Sequence, residues 1–523
     1  MFFRFIPLFA AVFSTTIFFS HAGTPDTTDL IITTRQGLLK GTTENDVRVW
    51  RGVRYAQAPV NELRYKLPQP VQNREGIVNA TEFGNIAPQP NNDMGGDGMQ
   101  SEDCLFLNIW SPKNSDTKKP VMFWIHGGGF VMGSGSSDLY NGTKLSKNGD
   151  VLVVTINYRL GPLGFLFLDE FNNDSLHFES NLGLHDQVAA LRWVKENISS
   201  FGGDPDNITI FGESAGANSV LSLLTSPFAK GLFNKAIVQS AAGISVIPRE
   251  KAAQQTREYL QLLNITPSEI SKLKTLHIDT LLEAAARYFK QKVREKDDVL
   301  FFVPVAGTEF LPLTPKEAIA QGAAKDIPML IGTNRDEANL FAKIKPAVIT
   351  PEEETVHNYL KSNGLATHEK HLISLYPKFP SRTSILSMIT DAIFQVPSVY
   401  IADAQSNFAS AYSYRFDWTS FPIRLIGLGA CHGMELPFVF NTFNSGAGKR
   451  IIKAANNRKV FKLSREIQNA WSNFAHTGNP NNKGNNKWLP YNTESRATMI
   501  FDNTLQVVFD PISNLRKGWE VIR

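Results

Sequence analysis

The 523-residue chain carries 53 basic and 49 acidic side chains, a formal charge of only +4, with 42% hydrophobic and 20% charged residues. Lys and Arg are scattered rather than grouped, which argues against nucleic acid as a partner. The composition is that of a globular protein with a large core, and two cysteines, Cys104 and Cys431, are too few for a disulfide framework.

Arg4 is the only charge in residues 1–22. A largely apolar run, 5–19, follows it, and Ser20-His21-Ala22 puts small residues where a signal peptidase reads. This pattern predicts a signal peptide over 1–22 and an exported mature chain, secreted or periplasmic. The run is short for a bilayer span, so no stable membrane insertion is expected after cleavage. Residues 30–53 suggest an antiparallel meander around Gly37 and Gly41. Residues 102–110 read as a further strand. Val121-Met122-Phe123-Trp124-Ile125 is continuously apolar, as in a strand buried on both faces. It runs into His126-Gly127-Gly128-Gly129-Phe130. Residues 151–156 form the next buried strand, ending at Asn157-Tyr158-Arg159.

Residues 181–200 place Leu182, Leu184, Val188, Leu191, Val194 and Ile198 close to helical spacing. Phe201-Gly202-Gly203-Asp204-Pro205 stops that helix. Ile208 and Ile210 then alternate with Thr209 in a strand that leads into Gly212-Glu213-Ser214-Ala215-Gly216. Residues 217–224 continue as a helix. Strands are expected again at 235–239, 327–333 and 411–418. This alternation predicts an α/β fold with a mostly parallel sheet covered by helices. Length would allow three domains on size alone.

The strand, tight turn and helix around Ser214 form the context in which Gly-x-Ser-x-Gly presents a nucleophile. Small residues at 212 and 216 let neighbouring backbone pass close by. A serine hydroxyl needs a base to take its proton, and the base needs a carboxylate to orient it. Acyl transfer also needs donors aimed at the oxyanion. Gly128 and Gly129 can supply backbone N–H groups after a buried strand, and the N–H of Ala215 completes the set.

Ten histidines compete for the base. His126 more naturally positions the glycines. His177, His185, His277, His357, His368, His371 and His476 fall in helices or polar loops where surface or capping roles suffice. His432 sits in Gly429-Ala430-Cys431-His432-Gly433, a loop past a strand, where this architecture places catalysis. Spacing alone leaves it one candidate among several. For the carboxylate, Asp336 and Glu337 share the exit loop of the strand 327–333, and Asp417 at the end of another strand is their rival.

The stretch from Phe201 through Gly212-Glu213-Ser214-Ala215-Gly216 resembles the serine signature of the type-B carboxylesterase/lipase family, the cholinesterase-like branch of the α/β-hydrolases. Glu102-Asp103-Cys104-Leu105-Phe106-Leu107-Asn108-Ile109 resembles that family's second signature. Asn157-Tyr158-Arg159, Asn181-Leu182-Gly183-Leu184 and Gly429-Ala430 before His432 are similar too. The resemblance runs from about Arg35 to the C-terminus. It implies one α/β-hydrolase domain over residues 23–523, with the N-terminal meander attached. It also implies a catalytic triad of Ser214, Glu337 and His432. Glu337 is preferred over Asp336 because the family pattern matches Gly332-Thr333-Asn334-Arg335-Asp336-Glu337. The implied oxyanion donors are Gly128, Gly129 and Ala215, and Glu213 is implied to lie beside the pocket.

Departures from the family are informative. Ala87 stands near the place where a partner for Cys104 is usual, so Cys104 is expected to be an unpaired buried thiol. Met94, in the glycine-rich loop 91–99, stands near the usual choline-site tryptophan. Choline esters are therefore not expected, for want of a cation–π partner. Around Leu300 the aromatic walls of the cholinesterase acyl pocket also look altered.

The resulting expectation is a serine carboxylesterase acting on small-molecule esters, soluble or of short to medium chain. It needs no metal and no cofactor, and the sequence carries no signal for an oligomeric state. The alternatives are a lipase for longer-chain lipid esters and a catalytically silent, cholinesterase-like binding or adhesion protein.

Overall fold

The structure, a computed structural model, describes residues 30–90, 96, 98–113, 117–243, 245–295, 301–344, 347–453, 456–481 and 488–522. The expected signal peptide, Met94 and Leu300 lie outside the described residues.

In chain order the strands are β1 (Ile31–Thr34), β2 (Gly37–Lys40), β3 (Thr42–Glu44), β4 (Val47–Arg54), β5 (Ile77–Asn79), β6 (Phe106–Pro112), β7 (Lys119–Ile125) and β8 (Leu152–Ile156). They continue as β9 (Gly203–Glu213), β10 (Lys235–Gln239), β11 (Ile247–Pro248), β12 (Val305–Ala306), β13 (Met329–Asn334), β14 (Ala411–Phe416), β15 (Ala497–Phe501) and β16 (Gln506–Phe509). Eleven of them form one sheet in the order β3-β4-β6-β8-β7-β9-β10-β13-β14-β15-β16. From β8 to β15 every pairing is parallel; β3, β4, β6 and β16 add antiparallel edges.

The apolar runs are buried on both faces, as parallel strands require. Along β7, Val121, Phe123 and Ile125 enter one core, while Met122 and Trp124 enter the core on the opposite face. In β9, Ile208 and Ile210 face the first core and Phe211 the second. The helix Ala215–Thr225 covers the first face. The 21-residue helix Asn457–Thr477 covers the other, burying Leu463, Ile467, Trp471 and Phe474. Side chains with a two-residue period thus sort between two helical layers.

The expected N-terminal meander is divided between two sheets. β1 and β2 pair antiparallel and join β5 in a separate three-stranded sheet, while β3 and β4 edge the large one. Gly41 marks the crossing. A Cβ there would lie 2.6 Å from both Trp50 Nε1 and the Val49 carbonyl oxygen. The strand expected from residue 102 begins at Phe106. Glu102 and Asp103 pair instead with Arg64 and Arg54, and the backbone there turns on itself, with the Cys104 N–H donating to the Glu102 carbonyl at 2.9 Å.

Candidate active site

Ser214 stands between the end of β9 and the helix Ala215–Thr225, with φ 57° and ψ −123°. A non-glycine residue rarely adopts this conformation, and here the surroundings enforce it. Its N–H donates to the Gln239 carbonyl at 2.9 Å, and its carbonyl accepts from Asn218 N at 3.0 Å. The turn is too tight for side chains on either side. A Cβ on Gly212 would lie 2.5 Å from the Gly216 backbone, and one on Gly216 would lie 2.0 Å from the Ile125 carbonyl oxygen. The two glycines are therefore demanded by close backbone approach. Ser214 keeps some exposure, while Ala215 beside it is buried.

The glycine run after β7 reaches the same place. A Cβ on Gly127 would lie 3.0 Å from Ser214 Cβ. Gly128 and Gly129 have φ of 108° and 62°, where glycine carries no steric penalty. Neither N–H donates to another described residue. The N–H of Ala215 opens its helix and has no intrahelical acceptor. Gly127 thus brings the run beside Ser214, and the Ala215 N–H follows the serine directly. His126 holds the run from behind: its ring stacks on Tyr158 at 4.4 Å, and its Nδ1 lies 2.8 Å from the Gly127 carbonyl oxygen. Burial pulls the His126 pKa down to about 4, so it stays neutral. That matches the positioning role expected of it.

His432 lies on the loop past β14 and is buried, 8% exposed. Its Nδ1 is 2.7 Å from Glu337 Oε2. The other oxygen of Glu337 accepts the Asn334 N–H at 2.7 Å, which fixes the carboxylate plane. When Nδ1 carries the proton toward Glu337, Nε2 is left as the acceptor. His432 Nε2 has no hydrogen-bond partner among the described residues. Glu213 Oε1 lies 3.1 Å from it, an ion-pair distance, yet that oxygen makes no hydrogen bond either. The two atoms attract each other without the alignment of a hydrogen bond. A buried imidazole with one nitrogen anchored and the other unoccupied is equipped to take a proton from a neighbour.

Three buried carboxyl groups surround this imidazole: Glu213, Glu337 and Glu435. Burial alone would pull the His432 pKa down. Glu213, Glu337 and Glu435 outweigh it and hold the value above the ordinary imidazole range. Burial raises the Glu213 carboxyl; His432 opposes that rise, and Glu435 and Glu337 reinforce it. Glu213 and His432 therefore titrate as a coupled pair.

The rival carboxylates are engaged elsewhere. Asp336 pairs with Arg335 at 2.9 Å and accepts the Ala430 N–H at 2.8 Å, bracing the loop that carries His432. Asp417 pairs with Arg415 at 2.7 Å. Among the other histidines, His177 and His357 pair with surface glutamates, His371 and His476 meet backbone carbonyls, and His185 packs between Phe228 and Phe310. Cys104 and Cys431 are both buried free thiols, as expected for Cys104. Burial raises both, Cys431 to about 12, which leaves no reactive thiolate.

Sequence reasoning missed three neighbours of His432. Glu435 accepts from Asn334 Nδ2 at 2.6 Å and from Gln239 Nε2 at 3.1 Å. Phe341 and Phe394 stand 4.9 and 5.1 Å from the imidazole, their own rings parallel within 9°. Phe394 comes from a π-helical turn, Asp391–Gln395, between the helices Arg382–Thr390 and Val396–Gln405. Pro397 has no N–H to offer the Ile393 carbonyl, which accepts instead from Gly243 N at 2.8 Å. A proline inside an apolar helical run was the readable sign of that turn.

The carboxylesterase family model matches residues 28–514. The chain is 44% identical to para-nitrobenzyl esterase of Bacillus subtilis (strain 168), over 94% of this chain and 98% of that protein. It is 31% identical to phenmedipham hydrolase of Pseudarthrobacter oxydans, over 89% of this chain and 94% of that one. The solved structure of a thermophilic PNB esterase matches with a TM-score of 0.85 and 42% identity, covering 94% of this chain and 99% of its own. The sheet, the strained serine turn and these likenesses agree: the chain belongs to the carboxylesterase family, with the α/β-hydrolase fold, and is a carboxylic ester hydrolase.

Proposed function

We propose that this enzyme is an exported serine carboxylesterase that works through an acyl-enzyme intermediate, with Ser214, His432 and Glu337 as its triad. The observation that carries the reading is the imidazole of His432, anchored to Glu337 through Nδ1 with Nε2 unoccupied, together with the strained serine turn at Ser214. His432 Nε2 accepts the hydroxyl proton as Ser214 Oγ attacks the ester carbonyl. Glu337 holds the tautomer and stabilises the imidazolium. The N–H groups of Gly128, Gly129 and Ala215 receive the developing oxyanion, each worth roughly 3 kcal/mol of barrier. The tetrahedral intermediate collapses, the C–O bond breaks, and the alkoxide leaves with the proton from His432. Water then attacks the acyl-enzyme with His432 again as base, releasing the carboxylic acid and restoring Ser214.

The substrates are small-molecule esters, soluble or of short to medium chain. That preference rests on the polar, glycine-rich composition of residues 91–99, which lacks the apolar character of a lipase lid. A chain-length series of p-nitrophenyl esters is expected to give its highest kcat/KM at short to medium acyl chains. A rise that begins only above the substrate's solubility limit favours the lipase reading. An organophosphate that leaves Ser214 unlabelled by peptide mass spectrometry favours the silent binding protein.

The pH profile provides a separate check. The base must be neutral to act, so kcat/KM should rise with pH as His432 loses its proton. The surrounding carboxylates place that midpoint above the ordinary imidazole range of about 6.5. Glu213→Gln removes one neighbouring negative charge and should move the midpoint to lower pH. A flat profile from about pH 5 to about pH 9 contradicts a histidine base. An unmoved midpoint in the glutamine variant contradicts the part given to Glu213.

A further inference from the structure

The loops that carry Glu337 and His432 continue outward into a single exposed apolar ledge. Phe421, Leu425 and Ile426 are 69%, 75% and 57% exposed, and Ile344 is 41% exposed. These are four of the thirteen exposed large hydrophobic side chains among the described residues. Three of them fall within six residues of sequence, just ahead of His432. A grouping of this kind marks a contact surface, whereas single exposed apolar residues are ordinary.

The ledge is built rather than frayed. Ser420 caps the short helix Phe421–Leu425 by accepting the Ile423 N–H. Ile423 is buried in the core behind it, which turns Phe421 and Leu425, one helical turn apart, toward solvent. Asn339 Nδ2 donates to the Leu428 carbonyl at 3.0 Å, tying this segment to the one that leaves Glu337. The Lys343 side chain lies against Gly427, so Lys343, next to Ile344, meets the segment 421–428.

Charge decides the occupant. Arg424 lies within the ledge and Lys343 at its edge, and neither makes an ion pair among the described residues. No acidic residue occurs from Trp418 to Met434. The flanking acids Asp336 and Asp417 are each held by an arginine. Exposed Phe, Leu and Ile beside unpaired cations suit a surface that is apolar a few ångströms deep and anionic above that. We propose that the ledge Phe421–Ile426, with Ile344, docks the enzyme peripherally on anionic lipid surfaces, which holds esters dissolved there close to the face whose loops carry Glu337 and His432. Acyl-chain preference remains a property of the pocket, and the docking requires no membrane-spanning segment. The inference deepens the esterase reading and rests on it only for the identity of the cargo.

Co-sedimentation tests it directly, using vesicles of phosphatidylcholine with and without about one third phosphatidylglycerol. The wild-type protein should bind the anionic vesicles, and Phe421→Glu/Leu425→Glu should bind them at least about tenfold more weakly. Hydrolysis of soluble p-nitrophenyl acetate should stay unchanged in that variant, which also shows that it is folded. Lys343→Gln/Arg424→Gln should lose the preference for anionic over neutral vesicles. Ser214→Ala should bind as wild type does, so a failure of the catalytic reading leaves the docking result legible. Absence of wild-type binding, or equal binding by the glutamate variant, overturns the proposal. A wild-type dimer in analytical ultracentrifugation that the glutamate variant abolishes also overturns it, and assigns the ledge to a second copy of this chain.

Discussion

Replacing Ser214 with alanine is expected to lower kcat by about 100,000-fold with p-nitrophenyl acetate, while the far-ultraviolet circular dichroism stays that of the wild type. The magnitude follows from what is lost. Without Oγ there is no acyl-enzyme, so the burst of p-nitrophenol and the organophosphate label should vanish together. The three N–H groups proposed to receive the oxyanion remain, and on that reading they account for whatever rate persists above that of water. The backbone strain at Ser214 is unchanged by the substitution, because alanine carries the same Cβ at φ 57°. Stability should therefore move little. An alanine variant that keeps its burst would remove Ser214 from the mechanism.

Glu337→Gln should reduce kcat by about a thousand- to ten-thousand-fold. Its carboxylate accepts the His432 Nδ1 proton through one oxygen and the Asn334 N–H through the other. An amide in that place can present its NH2 to Nδ1, which favours the wrong imidazole tautomer and leaves Nε2 protonated. It also withdraws a charge that would stabilise the imidazolium. Asp336→Asn is the matched control, one residue earlier on the same loop. Its remaining carbonyl oxygen can still accept the Ala430 N–H, and the Arg335 pair it loses is partly exposed. The expected loss of kcat is less than about tenfold. If Asp336→Asn proves the more damaging of the two, the carboxylate assignment is reversed.

The contrast between these two residues shows what the sequence could carry. Local geometry was legible: a strand, Gly212-Glu213-Ser214-Ala215-Gly216 and a helix define one tight turn, and all its parts are neighbours in the chain. The glycine run after β7 was legible for the same reason. The parallel sheet followed from runs such as Val121–Ile125 that are apolar without alternation. Glu337 and His432 are 95 positions apart, and nothing in their spacing brings them together. Family resemblance selected them, and the sheet order explains their meeting, since β13 and β14 are paired and their exit loops leave the same edge.

Other features were hidden for physical reasons. Division of the N-terminal meander depends on which edge each hairpin finds, and alternation within a hairpin does not encode that. The strand predicted from Glu102 starts later because the backbone at Glu102–Cys104 bonds locally, while Arg64 and Arg54, far back in the chain, hold the two acidic side chains. Phe341 and Phe394 carry no motif that sets them apart from other aromatics in the chain. Their place beside His432 comes from the short helix Ala338–Phe341 and from a π-helical turn. Glu435 is tied to the site by Gln239 and Asn334, both distant in the chain, so its spacing does not reveal its place.

The two cysteines have a consequence for where this enzyme can work. Both are sealed in the interior as thiols, and among the described residues no disulfide ties any part of the fold to another. Cohesion comes from a sheet buried on both faces and the two helical layers over it. An oxidising compartment therefore adds nothing to assembly, and a reducing one takes nothing away. Redox compartment and architecture are independent in this chain: the same contacts hold it together with or without an oxidant.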